Sequence, residues 1–413
     1  MSKKQVIWLV CNNVQPPELD THLRHQKFAK YLKEDGYEVY IIGASYLHYS
    51  KKNLIEGPEP YIYETYPDLN YIWIKVSSYS KNTGLSRMYS GFQFAHNLYK
   101  YRNELPKPDI LVHNTRIPFD FHIYLTAKKL GARYITETWD LWPLGFVTSG
   151  ILSERNPLMK LFYSVEHFIY KKAEKCIFTI EGGSQYIKDR GWDISSGGDI
   201  DLNKVYYINN GIDLKDFEYN KTHYILEDDD LKDKGKKKII YLGSVSLFNN
   251  VDQIIETAKL CSDREDLVFL IFGNGTERER LISHVNELGL KNVKFKNTWV
   301  EIKYVPFIIS CADINLLNYA HTGDFKYGGS QGKLFQYLAA GKPIVANIAI
   351  NYDIVAKYNA GISEDIKNAH HYKKVLLSVL EDKERYEEMS CNALEASKVF
   401  DFKSLYREFK KVL

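Results

Sequence analysis

The stretch Tyr327-Gly-Gly-Ser-Gln-Gly-Lys-Leu-Phe-Gln-Tyr-Leu-Ala-Ala-Gly-Lys-Pro343 carries the residue types of an anion site. Gly328 and Gly329 allow a close backbone approach, and Ser330 has the side chain of a helix N-cap. A helix is predicted from Gln331 to Ala340, ended by Gly341 and Pro343. Lys333 and Gln336, three residues apart, share one face near its start. The first amides of a helix lack internal partners, so a glycine-rich entrance and a nearby lysine suit a phosphate. The plainer reading is a capped helix in a Rossmann half. Two more loops bear on the choice. The apolar run 238–243 leads into Gly243-Ser-Val-Ser246, with Asn249 and Asn250 close behind. The hydroxyls of Ser244 and Ser246 and the amide of Asn250 could reach a diphosphate. The run 267–272 leads into Gly273-Asn-Gly275-Thr-Glu277, which lacks the third glycine of a dinucleotide fingerprint.

A second set of candidates lies in the first half. Trp139-Asp-Leu-Trp-Pro143 follows an apolar strand pattern. Two indole rings suit stacking on sugar rings, and Asp140 between them could accept a hydroxyl bond or act as a base. Glu137 is a second acid, and His113 follows another strand pattern. His22, with Arg24, is placed where an acceptor phosphate could be met. For each of these the alternative is structural: a turn cap, a core tryptophan, a satisfied histidine. Asp199-Ile-Asp201 and Asp228–Asp230 have the look of metal-binding pairs. The first precedes a strand and the second sits in a charged run, so both are read as solvated and no metal is expected.

These residues need elements to hold them. Apolar runs near 6–11, 37–44, 71–76, 109–114, 133–138 and 175–180 read as strands, with helical stretches between several of them and a helix at Leu23–Gly36. Continuous apolar strands alternating with helices predict a parallel, doubly wound sheet. The charged stretch 212–236 breaks the pattern and reads as a linker. The alternation then restarts and runs to a long final helix over 368–413, broken near Asp401. The division is 1–211 as an N-terminal acceptor-binding Rossmann-like domain and 237–390 as a C-terminal donor-binding one. A final helix, 391–413, is placed to pack back on the first domain. In the stretch 158–175, Leu158, Phe162, Val165 and Ile169 fall at helical spacing. Core packing is the first reading, contact with a lipid face the second.

The whole-chain quantities narrow the function. A length of 413 residues suits two α/β domains. A net charge of +3 offers no basic excess, so nucleic acid is not an expected partner. Five scattered cysteines without a CxxC pair argue against zinc and for a reducing compartment. The N-terminal apolar run is only strand length, and no run reaches the roughly 18 residues of a membrane span. A cytoplasmic protein is expected, with peripheral contact on the inner membrane face left open.

The ordered segments YLGSVS, LIFGNGTERERL, VKFKN, CADINLLNY and SQGKLFQYLAAGKPIVAN resemble the donor domain of GT-B glycosyltransferases of family 4. ITETWDLWP and YYINNGID resemble segments of bacterial capsule and O-antigen (WbuB-like) transferases. The resemblance covers nearly the whole chain and implies two Rossmann-like domains facing across a cleft. It implies Lys333 and Ser330 on the donor diphosphate and Gly273, Gly275 and Glu277 near the nucleoside. Ser244, Ser246 and Asn250 stand where many relatives carry Arg and Lys. Gln336 stands where a ribose-binding Glu is usual, and Gly328 where a first acid is usual. The implied activity is retaining, metal-independent transfer of a hexosyl or N-acetylhexosaminyl group in cell-surface polysaccharide biosynthesis. The donor is expected to be UDP-linked and the acceptor a glycan or lipid-linked saccharide, with no other cofactor. Two alternatives follow from the missing acids and the fold: a non-catalytic partner that binds glycan or an active transferase, and a sugar-nucleotide epimerase.

Overall fold

The computed structural model describes residues 4–19, 23–80, 84–116, 118–320 and 325–413. The chain divides into two compact units, residues 1–209 with 405–413, and residues 210–404.

Unit 1 is built on an eight-stranded sheet: β1 (Val6–Val10), β2 (Glu38–Ala44), β3 (Tyr61–Thr65), β4 (Asn70–Ile74), β5 (Ile110–Asn114), β6 (Arg133–Thr138), β7 (Lys175–Phe178) and β8 (Val205–Tyr207). The order across the sheet is β3-β4-β2-β1-β5-β6-β7-β8, and only β3 runs antiparallel to its neighbour. Every residue of β1 and β5 is buried, which is why these strands read as unbroken apolar runs. Chain order reverses between β1 and β5, which pair from Ile7↔Ile110 to Val10↔His113. Crossover helices such as Arg24–Glu34, Asp120–Leu130 and Pro157–Lys172 cover the sheet. In the last of these, Phe162 and Ile169 are buried and Val165 is partly so, whereas Leu158 is exposed.

Unit 2 holds a six-stranded parallel sheet: β9 (Lys237–Leu242), β10 (Leu267–Phe272), β11 (Val293–Phe295), β12 (Ile314–Leu317), β13 (Ile344–Ala346) and β14 (Gly361–Ser363). Its order is β11-β10-β9-β12-β13-β14, so chain order reverses between β9 and β12. That reversal opens a crevice at the carboxyl ends of the two strands. One apolar cluster lies around Ile254, Ile255, Phe269 and Leu376, and another around Phe217, Phe335, Leu338 and Phe400.

Three expectations are corrected. The charged stretch 212–236 is no free linker, because it carries helices Leu214–His223 and Asp229–Lys232, with Phe217 and Leu231 buried. Its acids are not simply solvated either. Asp228 accepts from Lys296 Nζ at 2.8 Å, and Asp230 pairs with Lys294 and Lys296. The long final helix is three helices, Ala369–Glu381, Lys383–Val399 and Phe402–Val412. It breaks at Asp382, which caps the second helix, as well as near Asp401. Residues 405–413 belong to unit 1, where the Phe409 ring lies 4.7 Å from Phe28 and Lys410 Nζ 2.7 Å from Asp35. Asp199 also has partners, His167 at 2.8 Å and Lys171 at 2.7 Å.

Candidate functional site

In unit 2 the loops after β9 and β10 are fastened to each other by main chain. Gly243 N donates to Phe272 O at 3.0 Å, Val245 N to Asn274 O at 2.8 Å, and Glu277 N to Val245 O at 3.1 Å. The glycines make this approach possible. A Cβ on Gly273, where φ is +122°, would lie 1.9 Å from Gly243 O, and one on Gly275 would lie 2.1 Å from Val245 O. Their first duty is therefore loop packing. Glu277 is drawn to Arg280 at 2.8 Å. Ser244 is exposed, and its carbonyl accepts from Tyr241 Oη at 2.6 Å. Ser246 Oγ donates to Asn249 at 2.9 Å. Asn250, with φ of +45°, bonds Gln253 at 3.2 Å.

The helix at the crevice starts one residue later than predicted. It spans Gly332–Ala340, with Gln331 as N-cap and no side-chain cap bond. Ser330 is not the cap; its Oγ accepts from Asn210 Nδ2 at 3.1 Å. Lys333 sits in the first turn, its Nζ 5.0 Å from the Tyr241 ring centre and 3.6 Å from where a Gly243 Cβ would stand. Among the described residues it has no carboxylate partner. Burial pulls its ammonium down to about 8. On the same face Gln336 holds its Oε1 buried with no hydrogen-bond partner among the described residues. The crevice thus presents an unpaired cation, an unsatisfied acceptor and free helix amides, which suits an anion with hydroxyl groups.

In unit 1, Glu137 is 1% exposed at the end of β6. Its Oε1 accepts from Arg24 Nε at 2.8 Å, and its Oε2 from Trp139 Nε1 at 2.8 Å and from His25 Nε2 at 3.2 Å. Burial alone would raise this carboxyl, but Arg24 and His25 outweigh it and hold it down at about 2. Burial opposes protonation of His25, yet Cys11 and Glu137 raise it well above the ordinary imidazole value. Arg24 also reaches the Asn209 carbonyl, and its Nη2 is buried and unpartnered among the described residues. The His25 ring stacks on Trp139 with centres 5.0 Å apart. Glu137 and Arg24 therefore form a buried pair that fixes His25 and Trp139, instead of standing open as separate catalytic and acceptor groups.

Asp140 is exposed beside Trp139, on the wall of a recess of about 100 Å³. His113 is interior: Nδ1 lies 2.8 Å from Tyr134 Oη and Nε2 3.3 Å from Asp120. With both ring nitrogens engaged it links β5, β6 and the helix Asp120–Leu130. His22 lies outside the described residues. His25 and Arg116 escaped the sequence reading because neither sits in a motif. Only the side-by-side placement of β1, β5 and β6 brings them to Trp139.

Residues 225–396 match the family model Glycosyl transferases group 1. No curated protein matches the chain. Among solved structures, sucrose-phosphate synthase from Thermosynechococcus elongatus is similar at 15% identity and a TM-score of 0.70, covering 99% of this chain and 98% of that one. HepE from Anabaena, in complex with UDP and glucose, is similar at 13% identity and a TM-score of 0.65, covering 98% of each chain. WaaG, a glycosyltransferase involved in lipopolysaccharide biosynthesis, is similar at 14% identity and a TM-score of 0.65, covering 98% and 99%. The two Rossmann-like units are those of the GT-B fold class. Among the described residues no helix is long and apolar enough to cross a membrane.

Proposed function

We propose that the chain is a glycosyltransferase that moves a sugar from a nucleoside-diphosphate sugar to an acceptor hydroxyl. The observation that carries this is the crevice of unit 2, inside the segment that matches group 1 glycosyltransferases. There the unpaired Lys333 and the orphaned Gln336 Oε1 share the first turns of one helix. Lys333 and the helix amides would neutralise the leaving diphosphate, and Gln336 would bond the ribose hydroxyls without charge. The donor of this reading is UDP-linked, in keeping with the UDP and glucose bound by HepE. Transfer would retain anomeric configuration, need no metal, and build a cell-surface glycan on a glycan or lipid-linked acceptor at the cytoplasmic membrane face. Unit 1 would take the acceptor, with Asp140 and Trp139 beside it. The hexosyl or N-acetylhexosaminyl group is the cargo. UDP release from a panel of UDP-sugars, with and without saccharide acceptors, tests the reading. Wild type should release UDP only with the right pair, and Lys333→Ala should lose about 100-fold or more of that rate. Equal rates in the two proteins would remove Lys333 from the mechanism.

A second reading is a non-catalytic partner of an active transferase. Gln336 and Gly328, in place of the acids usual in the family that the chain resembles, favour it. Calorimetry separates the two, because a non-catalytic partner that has lost the donor site binds neither UDP nor UDP-sugars.

A further inference from the structure

Unit 1 carries a small recess next to the Asp140 and Trp139 that the reading above sets beside the acceptor, and that reading does not say which group of the acceptor enters it. Cys11, Asn13, His25, Arg116, Trp139 and Asp140 stand in its walls. It opens at the carboxyl ends of β1, β5 and β6, where strand order reverses and doubly wound sheets take ligands. A volume of about 100 Å³ suits one small polar group better than a whole sugar ring.

Arg116 is held by its main chain, not by its charge. Its amide donates to both carboxylate oxygens of Asp120, at 3.0 and 2.9 Å. The guanidinium has no ion pair or hydrogen bond among the described residues, and its Nε is buried without a partner. The Trp142 ring lies 5.9 Å from it. A guanidinium is a flat fork of donors shaped for two oxygens, and leaving one unfilled in a half-buried wall is costly. His25 stands in the same wall, its Nε2 3.2 Å from the Glu137 carboxylate. Asp140 opposes the Arg116 charge from the exposed rim.

We propose that this recess binds an oxyanion carried by the acceptor, a phosphate or a carboxylate on a sugar, with Arg116 as the fork that grips it. The word acceptor rests on the transferase reading; the binding does not. The test is calorimetry on the full chain with glucose 6-phosphate, glucuronate and glucose, and UDP as a separate titrant. At least one anionic sugar should bind where glucose does not, and the stronger of the two identifies the anion. Arg116→Gln should weaken that binding roughly tenfold or more and leave UDP affinity unchanged. Asp140→Asn should tighten it. Binding of glucose as strong as that of the anionic sugars, indifference to Arg116→Gln, or no binding of either anionic sugar would overturn the proposal. Absence of UDP binding by the wild type would instead count against the transferase reading.

Discussion

Arg24 and Glu137 show what a charge costs when its partner goes. Each is 1% exposed, and they meet at 2.8 Å. Arg24→Met would leave the buried Glu137 carboxylate with only His25 and the Trp139 N–H, so thermal unfolding should show a loss of about 3–5 kcal/mol. The carboxyl also sets an acid limit. Its folded pKa of about 2 lies below the ordinary value of 4.5, so its stabilisation is complete above that value. It is lost as pH falls from there through about 2, and Glu137→Gln should flatten this part of the stability profile. Lys333 gives the opposite slope for binding. Burial holds its free ammonium down at about 8, and a bound diphosphate would raise it. UDP binding should therefore take up protons near pH 8 and weaken as pH rises through that value. Calorimetry in buffers of different ionisation heat reads this directly, and a pH-independent affinity with no proton uptake would show that Lys333 does not face the diphosphate.

At the scale of elements, the loops after β9 and β10 behave as one piece. Gly273 cannot gain a Cβ without meeting the Gly243 carbonyl at 1.9 Å. Gly273→Ala should cost at least about 2 kcal/mol in denaturant unfolding and weaken UDP binding, whereas Gly289→Ala strains only its own left-handed turn, with nothing within 4 Å. Most strands were legible because a parallel strand is buried on both faces and reads as an apolar run, as in Val6–Val10 and Leu267–Phe272. The edge strand Tyr61–Thr65 was not, since it is only half-buried, and the three-residue Gly361–Ser363 is too short to show a pattern. The Lys333–Gln336 face was legible because helix spacing is local. The recess of unit 1 was not: Cys11 in its wall is held against Asn114, 103 residues away, at 3.6 Å.

For the whole molecule, the stretch 212–236 was misread for the same reason. Its charge run looks solvated until Lys294 and Lys296, more than sixty residues on, answer Asp228 and Asp230. The split of unit 1 makes a further prediction. Removing residues 405–413 would strip Phe409 from Phe28 and Tyr406 and Lys410 from Asp35, and would take away the buried Val412 as well. Calorimetric unfolding of that truncated chain should show a lowered transition for unit 1. A transition for unit 2 should remain near its original temperature.

That split also has a consequence in time. Ribosomal synthesis is vectorial, and an ordinary first domain is finished before the second emerges. Here residues 405–413 are translated only after all of 210–404. Unit 1 therefore waits with the Phe28 side of its helix uncovered while unit 2 is made. A chain stalled anywhere within unit 2 leaves that apolar face open, and such a face is what chaperones and proteases read as unfinished.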